Sequence, residues 1–181
     1  MAKTALLFAG QGAQVVGMGR DLAEAHPTGK SLFAEADEAL GYGLSEICFS
    51  GPEEELVRTE HAQPAIYLVG WIALQLLREQ APSISFEATA GLSLGEFTAL
   101  AAADAIGFED GLRVVRRRGK LMQEACEASS GGMAAIVGLD EEAVRGVCEQ
   151  AGVRLAGDIA INRHRGLAQL DLGQGLGQAG L

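Results

Sequence analysis

The sequence predicts an α/β fold in which a mainly parallel sheet is flanked by helices. Short apolar segments that suit buried strands alternate along the chain with longer segments of helical spacing. Ser93 lies between two glycines, in Gly91-Leu-Ser-Leu-Gly95, at the junction of a predicted strand and a predicted helix. Such a junction is typical of a nucleophile elbow. A chain of 181 residues suffices for one full domain with a small appendage.

The predicted elements alternate between strand and helix. In chain order they are a buried strand at 3–9, helices at 18–25 and 31–40, a helix start at 50–55, a long helix opened by Gln63-Pro64, a buried strand at 86–90, helices at 97–103 and 108–127, a strand at 133–138, a helix from Asp140 to about Gln150 and a strand beginning at Val153.

Each of these assignments has a local reason. The strand segments are short, apolar and bounded by glycine-rich or polar loops. Pro52 and Pro64 suit the first turn of a helix, and the glutamates after Pro52 favour a helix N-terminus. Asp140 is a good N-terminal cap for the helix that follows it. The helix opened by Gln63-Pro64 is apolar on most faces, which predicts that it packs against the sheet.

Changes in amino-acid composition along the chain predict three regions. Residues 1–128 form the N-terminal part of a large α/β subdomain, and a Ser/Gly linker then leads into a partial small subdomain at 129–156. Residues 157–181 are an atypical Gly-rich tail that contains neither Glu nor Lys. Its glycines spoil both helical and strand patterns, so we expect much of this tail to be poorly ordered.

Composition excludes several classes of function. A net charge of −10 argues against a nucleic-acid partner, because phosphate binding depends on clustered Lys and Arg. No apolar run is long enough to cross a bilayer and no signal-peptide pattern is present, which predicts a cytoplasmic protein without a membrane partner. The three cysteines lack metal-ligand spacing, so we predict no metal site and reduced thiols.

The elbow pattern predicts a serine nucleophile. Glycines on both sides of Ser93 permit a tight turn that pushes its hydroxyl into open space. The following helix directs free N–H groups toward an oxyanion formed beside the serine. The alternative is that Ser93 only caps a helix N-terminus.

Several separated motifs resemble the malonyl-CoA:acyl carrier protein transacylases. The two strongest are Phe8-Ala-Gly-Gln-Gly-Ala-Gln14 and the elbow Gly91-Leu-Ser-Leu-Gly-Glu96. Three further segments occur in the family's order, namely Thr59-Glu-His-Ala-Gln-Pro-Ala65, Arg118-Gly-Lys-Leu-Met-Gln123 and Gly132-Met-Ala-Ala-Ile-Val-Gly138. The likeness covers about residues 3–156, which is the N-terminal part of the family's length. It implies a hydrolase-like sheet and the start of a small ferredoxin-like α+β subdomain.

The resemblance implies a function and a set of site residues. The family transfers malonyl groups from malonyl-CoA to the phosphopantetheine thiol of acyl carrier protein for fatty acid biosynthesis, without a cofactor. By this resemblance Ser93 is the nucleophile, and the backbone N–H groups of Gln11 and Leu94 form the oxyanion hole. Arg118 holds the malonyl carboxylate, for which a guanidinium's paired donors are well suited. Gln63 is a pocket residue.

The chain also departs from the family pattern. Leu92 stands where the commoner elbow carries histidine, which bears on the polarity of the pocket. The family's general-base histidine lies in a segment that would follow residue 181. His26, His61 and His164 occupy other contexts, and His61 is the nearest of them to the expected pocket. After Ala156 the tail differs from family sequence.

Parts of the sequence suggest three other interpretations, one of which the sequence itself excludes. A serine esterase of α/β-hydrolase type would share the elbow, but it would leave the Gly-Gln-Gly-Ala-Gln loop unexplained. A catalytically inert fragment, or an interaction partner of a full-length acyltransferase, would need no general base. A dinucleotide-binding module is rejected, because its pattern requires glycine where Val15 stands.

Overall fold

The computed structural model describes residues 3–129, 132–137, 139–150 and 167–172. In chain order its elements are β1 (Ala5–Phe8), α1 (Arg20–Ala25), α2 (Pro27–Leu40), α3 (Leu44–Ser50), α4 (Glu53–Leu56), α5 (Thr59–Gln80), β2 (Ala88–Gly91), α6 (Gly95–Ala102), α7 (Phe108–Ser129), β3 (Gly132–Val137), α8 (Glu141–Gln150) and β4 (Leu167–Leu172). The described residues form an α/β fold that is mostly helical and contains a small parallel sheet, with five helices between β1 and β2. Within the described residues, none of the helices is both long and apolar enough to cross a membrane.

The chain divides into two compact units, Met1–Gln123 and Glu124–Leu181. The first unit contains a parallel pair of strands, β1 and β2, with Ala5 opposite Ala88 and Phe8 opposite Gly91. Parallel strands end at the same edge of a sheet, so the loop after β1 and the elbow after β2 lie side by side. The parallel pairing thereby brings together two segments that lie far apart in the sequence.

The two strands are less buried than the sequence predicts. Exposed and partly buried residues alternate along both, and the side chain of Leu7 is 80% exposed. Phe8 lies on the opposite face, where its ring comes within 3.8 Å of a Cβ built on Gly70 of α5. The prediction that the strands at 3–9 and 86–90 are buried is therefore wrong for the described residues. In the described part of the first unit, the helices cover the Phe8 face of the pair.

Helix α5 forms the centre of the hydrophobic core. Its side chains from Ala62 to Leu68 are all buried, and they pack with residues of α2, α3, α6 and α7. Fully buried members of this core include Leu44, Leu56, Tyr67, Leu68, Ile72, Leu94, Leu112 and Val115. The core therefore holds in place the helices that carry Gln63, the elbow and Arg118.

Two helices begin earlier than the sequence predicts. Helix α5 starts at Thr59, so Pro64 lies inside the helix and does not open it. The Thr59 N–H, which has no intrahelical acceptor at this position, donates to Gln123 Oε1 at 3.2 Å. Helix α2 starts at Pro27, a first-turn position that the fixed φ of proline suits. The gap between the helices predicted at 18–25 and 31–40 is reduced to one extended residue, His26.

In the second unit β3 pairs with β4 in antiparallel fashion, with Gly132 opposite Leu172 and Val137 opposite Leu167. Within the predicted Gly-rich tail, the structure describes only Leu167–Leu172, whose Leu-Ala-Gln-Leu-Asp-Leu sequence is free of glycine and forms β4. At the start of α8, Asp140 Oδ1 accepts the Ala143 N–H at 2.9 Å, which is the predicted cap. The strand predicted from Val153 lies outside the described residues.

Candidate active site

The elbow has the strained backbone that its sequence predicts. Ser93 has φ 54°, in the left-handed region that few residues other than glycine adopt. A Cβ added at Gly91 would lie 1.9 Å from the carbonyl carbon of Gly95. A Cβ at Gly95 would lie 2.3 Å from the carbonyl oxygen of Phe8. Both glycines are therefore required by close backbone contacts, and the turn presents Ser93 at the start of α6.

The loop after β1 lies directly against this turn. A Cβ built on Gly10 would be 2.5 Å from the Leu92 carbonyl oxygen, and the Leu92 N–H donates to the Phe8 carbonyl at 3.3 Å. The neighbouring Gln11 extends its side chain to Thr59, whose Oγ1 accepts from Gln11 Nε2 at 3.2 Å. The loop is thus tied both to the elbow and to the first residue of α5.

Two backbone donors at this junction are available to a ligand. Among the described residues, neither the Gln11 N–H nor the Leu94 N–H has a hydrogen-bond acceptor. The next donor, the Gly95 N–H, is already used by the Leu92 carbonyl at 2.9 Å. Donors that keep their capacity beside a nucleophile can stabilise an oxyanion as it develops. The two N–H groups that the resemblance assigns to the oxyanion hole are therefore available to bind an oxyanion.

Arg118 is the direct partner of the serine hydroxyl. Its Nη2 donates to Ser93 Oγ at 2.8 Å, and its Nη1 donates to Gln63 Oε1 at 2.7 Å. Its guanidinium carbon lies 5.8 Å from the ring centroid of Phe97, the third residue of α6. One arginine thus connects α7, α5 and the elbow, and it places a positive charge beside the Ser93 hydroxyl group.

The neighbouring arginines point elsewhere. Arg116 donates from Nη1 to the Leu40 carbonyl at 2.9 Å, and its guanidinium lies over the ring of Tyr42 at 5.1 Å. The side chain of Arg117 is exposed. Successive helical residues point about 100° apart, so only one of the three can face Ser93.

The two remaining residues of the predicted pocket, Gln63 and Leu92, differ in their burial. Gln63 is fully buried and contacts Arg118, so the structure brings it into the site. Leu92 is 46% exposed, and its backbone makes the hydrogen bonds to Phe8 and Gly95. An apolar cavity of about 190 Å³ lies beside the loop, lined in part by Phe8, Ala13 and Thr98.

The described histidines lie away from the serine. The Nδ1 atom of His61 is 2.9 Å from the Glu55 carbonyl, and His26 Nε2 is 3.4 Å from Gln80 Nε2. Within the described part of the chain, neither histidine contacts Ser93. His164 lies outside the described residues. The described residues also contain no cluster of His, Cys, Asp and Glu that could hold a metal ion.

Three supporting residues were not singled out by sequence reasoning. They are Thr59, which holds the Gln11 side chain, Phe97, which lies beside the Arg118 guanidinium, and Met122, whose sulfur accepts from Gln63 Nε2 at 3.2 Å. Thr59 and Met122 lie in two of the motifs that carry the family resemblance. The sequence does offer one indication for Met122, because it lies one helical turn after Arg118 and therefore on the same face of α7.

Two titratable groups with strongly shifted pKa values lie outside this site. Burial raises the pKa of the Cys48 thiol to about 12. Burial also raises the pKa of the Tyr42 hydroxyl to about 12, against the opposing effect of the nearby Arg116 charge. Both groups are neutral at physiological pH. They belong to the packing around α2 and α3, and they do not contribute charge to the serine site.

Comparisons with known proteins agree with the geometry. The model of the acyl transferase domain family matches residues 5–164. The chain is 47% identical over 150 residues to a malonyl CoA-acyl carrier protein transacylase of Bacillus subtilis, covering 83% of this chain and 47% of that protein. The corresponding Escherichia coli K12 protein is 44% identical over 151 residues, with 83% and 48% covered.

Solved structures give the same result. The malonyl CoA-acyl carrier protein transacylase of Coxiella burnetii superposes with a TM-score of 0.82 at 31% identity, covering 95% of this chain and 54% of that one. A malonyl-transacylase in complex with a type II PKS acyl-carrier protein superposes with a TM-score of 0.80 at 36% identity, covering 96% and 56%. The chain spans about half the length of the relatives it matches. It belongs to the acyl transferase domain family.

Proposed function

We propose that this chain carries the acyl-serine half of a malonyl transfer site, which takes malonyl groups from malonyl-CoA and passes them to the thiol of acyl carrier protein for fatty acid synthesis. The observation that carries this proposal is the 2.8 Å hydrogen bond from Arg118 Nη2 to Ser93 Oγ. It places a carboxylate-binding cation beside the nucleophile of a serine elbow. A thioester that is held by its distal carboxylate would then present its carbonyl carbon to Ser93.

The chemistry follows from these positions. Ser93 Oγ attacks the thioester carbonyl, the carbon–sulfur bond breaks, and the hydroxyl proton leaves with coenzyme A as its thiol. The Gln11 and Leu94 N–H groups would stabilise the oxyanion of the tetrahedral intermediate. In the second half of the reaction, the thiol of the carrier protein attacks the acyl-serine carbonyl and forms a new thioester, the carbon–oxygen bond to Ser93 breaks, and the thiol proton passes to Ser93 Oγ. No cofactor is needed for either step.

The names of the relatives support this assignment. The similar curated proteins are malonyl CoA-acyl carrier protein transacylases, including a human mitochondrial one that is 44% identical over 148 residues. One structural relative is described in complex with its acyl-carrier protein. Because the chain spans about half of these proteins, both the whole reaction and the carrier partner are proposals for it.

We extend the proposal to the finer features of the fold. By the same likeness, the first unit would belong to a hydrolase-like subdomain, and the antiparallel pair with α8 to a ferredoxin-like one. The acidic composition and the proposed metabolic role are consistent with a cytoplasmic protein.

Intact-protein mass spectrometry tests the proposed function. The chain is mixed with malonyl-CoA, quenched, and digested to locate any adduct. We expect a gain of one malonyl group on Ser93 and none in the Ser93→Ala variant. If circular dichroism shows that the wild-type chain is folded and it still gains no adduct, the proposal is contradicted and the inert-fragment alternative is favoured. An adduct formed equally well from simple esters would favour an esterase.

A further inference from the structure

Gln63 stands out because it is a polar side chain in the fully buried part of α5. Its exposed fraction is 0%, yet both ends of its amide are used. Oε1 accepts from Arg118 Nη1 at 2.7 Å, and Nε2 donates to Met122 Sδ at 3.2 Å. A buried polar group needs such partners, because leaving it unpaired costs about 1–3 kcal/mol. The amide is therefore held in one orientation.

The two partners of this amide come from a single helix face. Arg118 and Met122 are four residues apart in α7, so their side chains are neighbours on the helix surface. The arginine can only donate and the thioether can only accept, so together they determine which end of the amide faces which partner. The oxygen of Gln63 must therefore point at Arg118, and this contact directs the guanidinium toward Ser93.

The acceptor that orients Arg118 is uncharged. In the described part of the chain, Arg118 contacts Gln63 Oε1, Ser93 Oγ and the ring of Phe97, all of which are neutral. Among the described residues, no carboxylate forms an ion pair with Arg118. This is notable in a chain with a net charge of −10, where acidic partners are abundant. The positive charge beside the nucleophile is therefore kept available for an anionic ligand.

We propose that Gln63 is a specificity-determining positioning residue. Its neutral amide oxygen orients Arg118 without compensating the guanidinium charge, and this makes the site prefer acyl groups that carry a carboxylate. This role rests on the proposed malonyl function and deepens it. A glutamate at position 63 would have nearly the same shape but would pair with Arg118 as an ion, so the substrate carboxylate would meet a neutralised cation and an added negative charge.

The experiment measures binding, so that it does not depend on turnover. In a Ser93→Ala background, affinities for malonyl-CoA and acetyl-CoA are determined by isothermal titration calorimetry. We expect malonyl-CoA to bind the background chain about 10- to 100-fold more tightly than acetyl-CoA, which corresponds to one charge-assisted hydrogen-bond pair. Adding Gln63→Glu should bring this ratio to about one, because the affinity for malonyl-CoA falls about 10- to 100-fold further than the affinity for acetyl-CoA.

Two further variants make the result interpretable. Gln63→Met keeps the length of the side chain without adding charge, and it should lower the ratio because Arg118 loses its acceptor. Gln80→Glu adds the same charge at the exposed end of α5 and should leave the ratio unchanged. The affinity for acetyl-CoA reports whether each variant is folded, since misfolding would abolish both affinities.

The outcomes separate the two proposals. A malonyl preference that persists in both Gln63→Glu and Gln63→Met overturns the role of Gln63 and leaves the proposed function intact. Equal affinities for the two thioesters in the background chain overturn the carboxylate clamp itself, and the role of Gln63 with it. An equal loss of preference in Gln80→Glu would show that total charge, and not Gln63, sets the preference, which also overturns the proposal.

Discussion

Replacing Gly95 by alanine should separate the elbow from the loop that precedes it. The added Cβ would lie 2.3 Å from the Phe8 carbonyl oxygen and 2.8 Å from that of Ala9. Both atoms belong to the backbone of the β1 end, so no side-chain rotation can relieve the contact. Cβ contacts below 3.0 Å are essentially never seen, so α6 must move away from β1 by at least 0.7 Å. The same movement shifts the Leu94 N–H away from the Gln11 loop.

The expected size of the effect follows from two opposing contributions. Overpacking of this kind costs about 1–3 kcal/mol, and replacing a helical glycine by alanine returns up to about 1 kcal/mol. We therefore expect a net loss of about 1–2 kcal/mol in the free energy of unfolding. Displacement of an oxyanion donor by a sizeable fraction of an ångström should slow Ser93 acylation by about 10- to 100-fold.

Urea unfolding and the mass-spectrometric acylation rate measure these two effects. Gly43→Ala is the matched control, because its Cβ would meet nothing closer than 3.8 Å, and only a few tenths of a kcal/mol should be lost there. The reasoning is refuted if Gly95→Ala matches the wild type in both measurements. Loss of stability without loss of rate would show that the Leu94 N–H does not act on the oxyanion.

Three further predictions address other contacts. Thr59→Val removes the acceptor of the Gln11 side chain and should slow Ser93 acylation about 3- to 10-fold. Thr59→Ser keeps a hydroxyl acceptor and should restore the rate. Equal rates in the wild type and both variants would exclude this anchoring role. Cys48, whose pKa is raised from 9.0 to about 12, should resist alkylation at pH 8 in the folded chain. Its contribution to stability should be complete below about pH 9 and lost as the pH rises through 12, which urea titrations of wild type and Cys48→Ala across that range would detect. Leu68→Ala, at a side chain that is 0% exposed, should cost about 2–5 kcal/mol in urea unfolding, and a loss below 1 kcal/mol would contradict the assigned core.

The features that the sequence predicts well are those determined by local spacing. The turn around Ser93 depends on two glycines within two residues of it, so a five-residue pattern is enough to place it. The start of α8 was recognisable for a similar reason, since Asp140 caps the helix that directly follows it. The α/β class likewise follows from short apolar segments placed between helical ones.

The contacts that join distant segments could not be predicted in the same way. Gln11 and Thr59 lie 48 residues apart, and only the path of α1 to α5 brings them within hydrogen-bond distance. The early start of α5 was missed because Pro64 suggested a first turn, whereas Thr59 finds an acceptor for its N–H on α7. The exposure of Leu7 depends on which face of β1 the helices cover, and apolar character alone does not indicate a face.

The left-handed backbone of Ser93 combines conformational strain with the hydroxyl group that the proposed reaction requires. A residue with a Cβ costs about 1–2 kcal/mol in this region of backbone space, a cost that glycine avoids. Ser93→Gly would relieve this backbone strain, but it would also remove the acceptor of Arg118 Nη2 and the hydroxyl group of the proposed nucleophile. A laboratory evolution experiment that rewards only thermal survival exerts no selection for that hydroxyl group, so any such screen needs an activity filter to retain it.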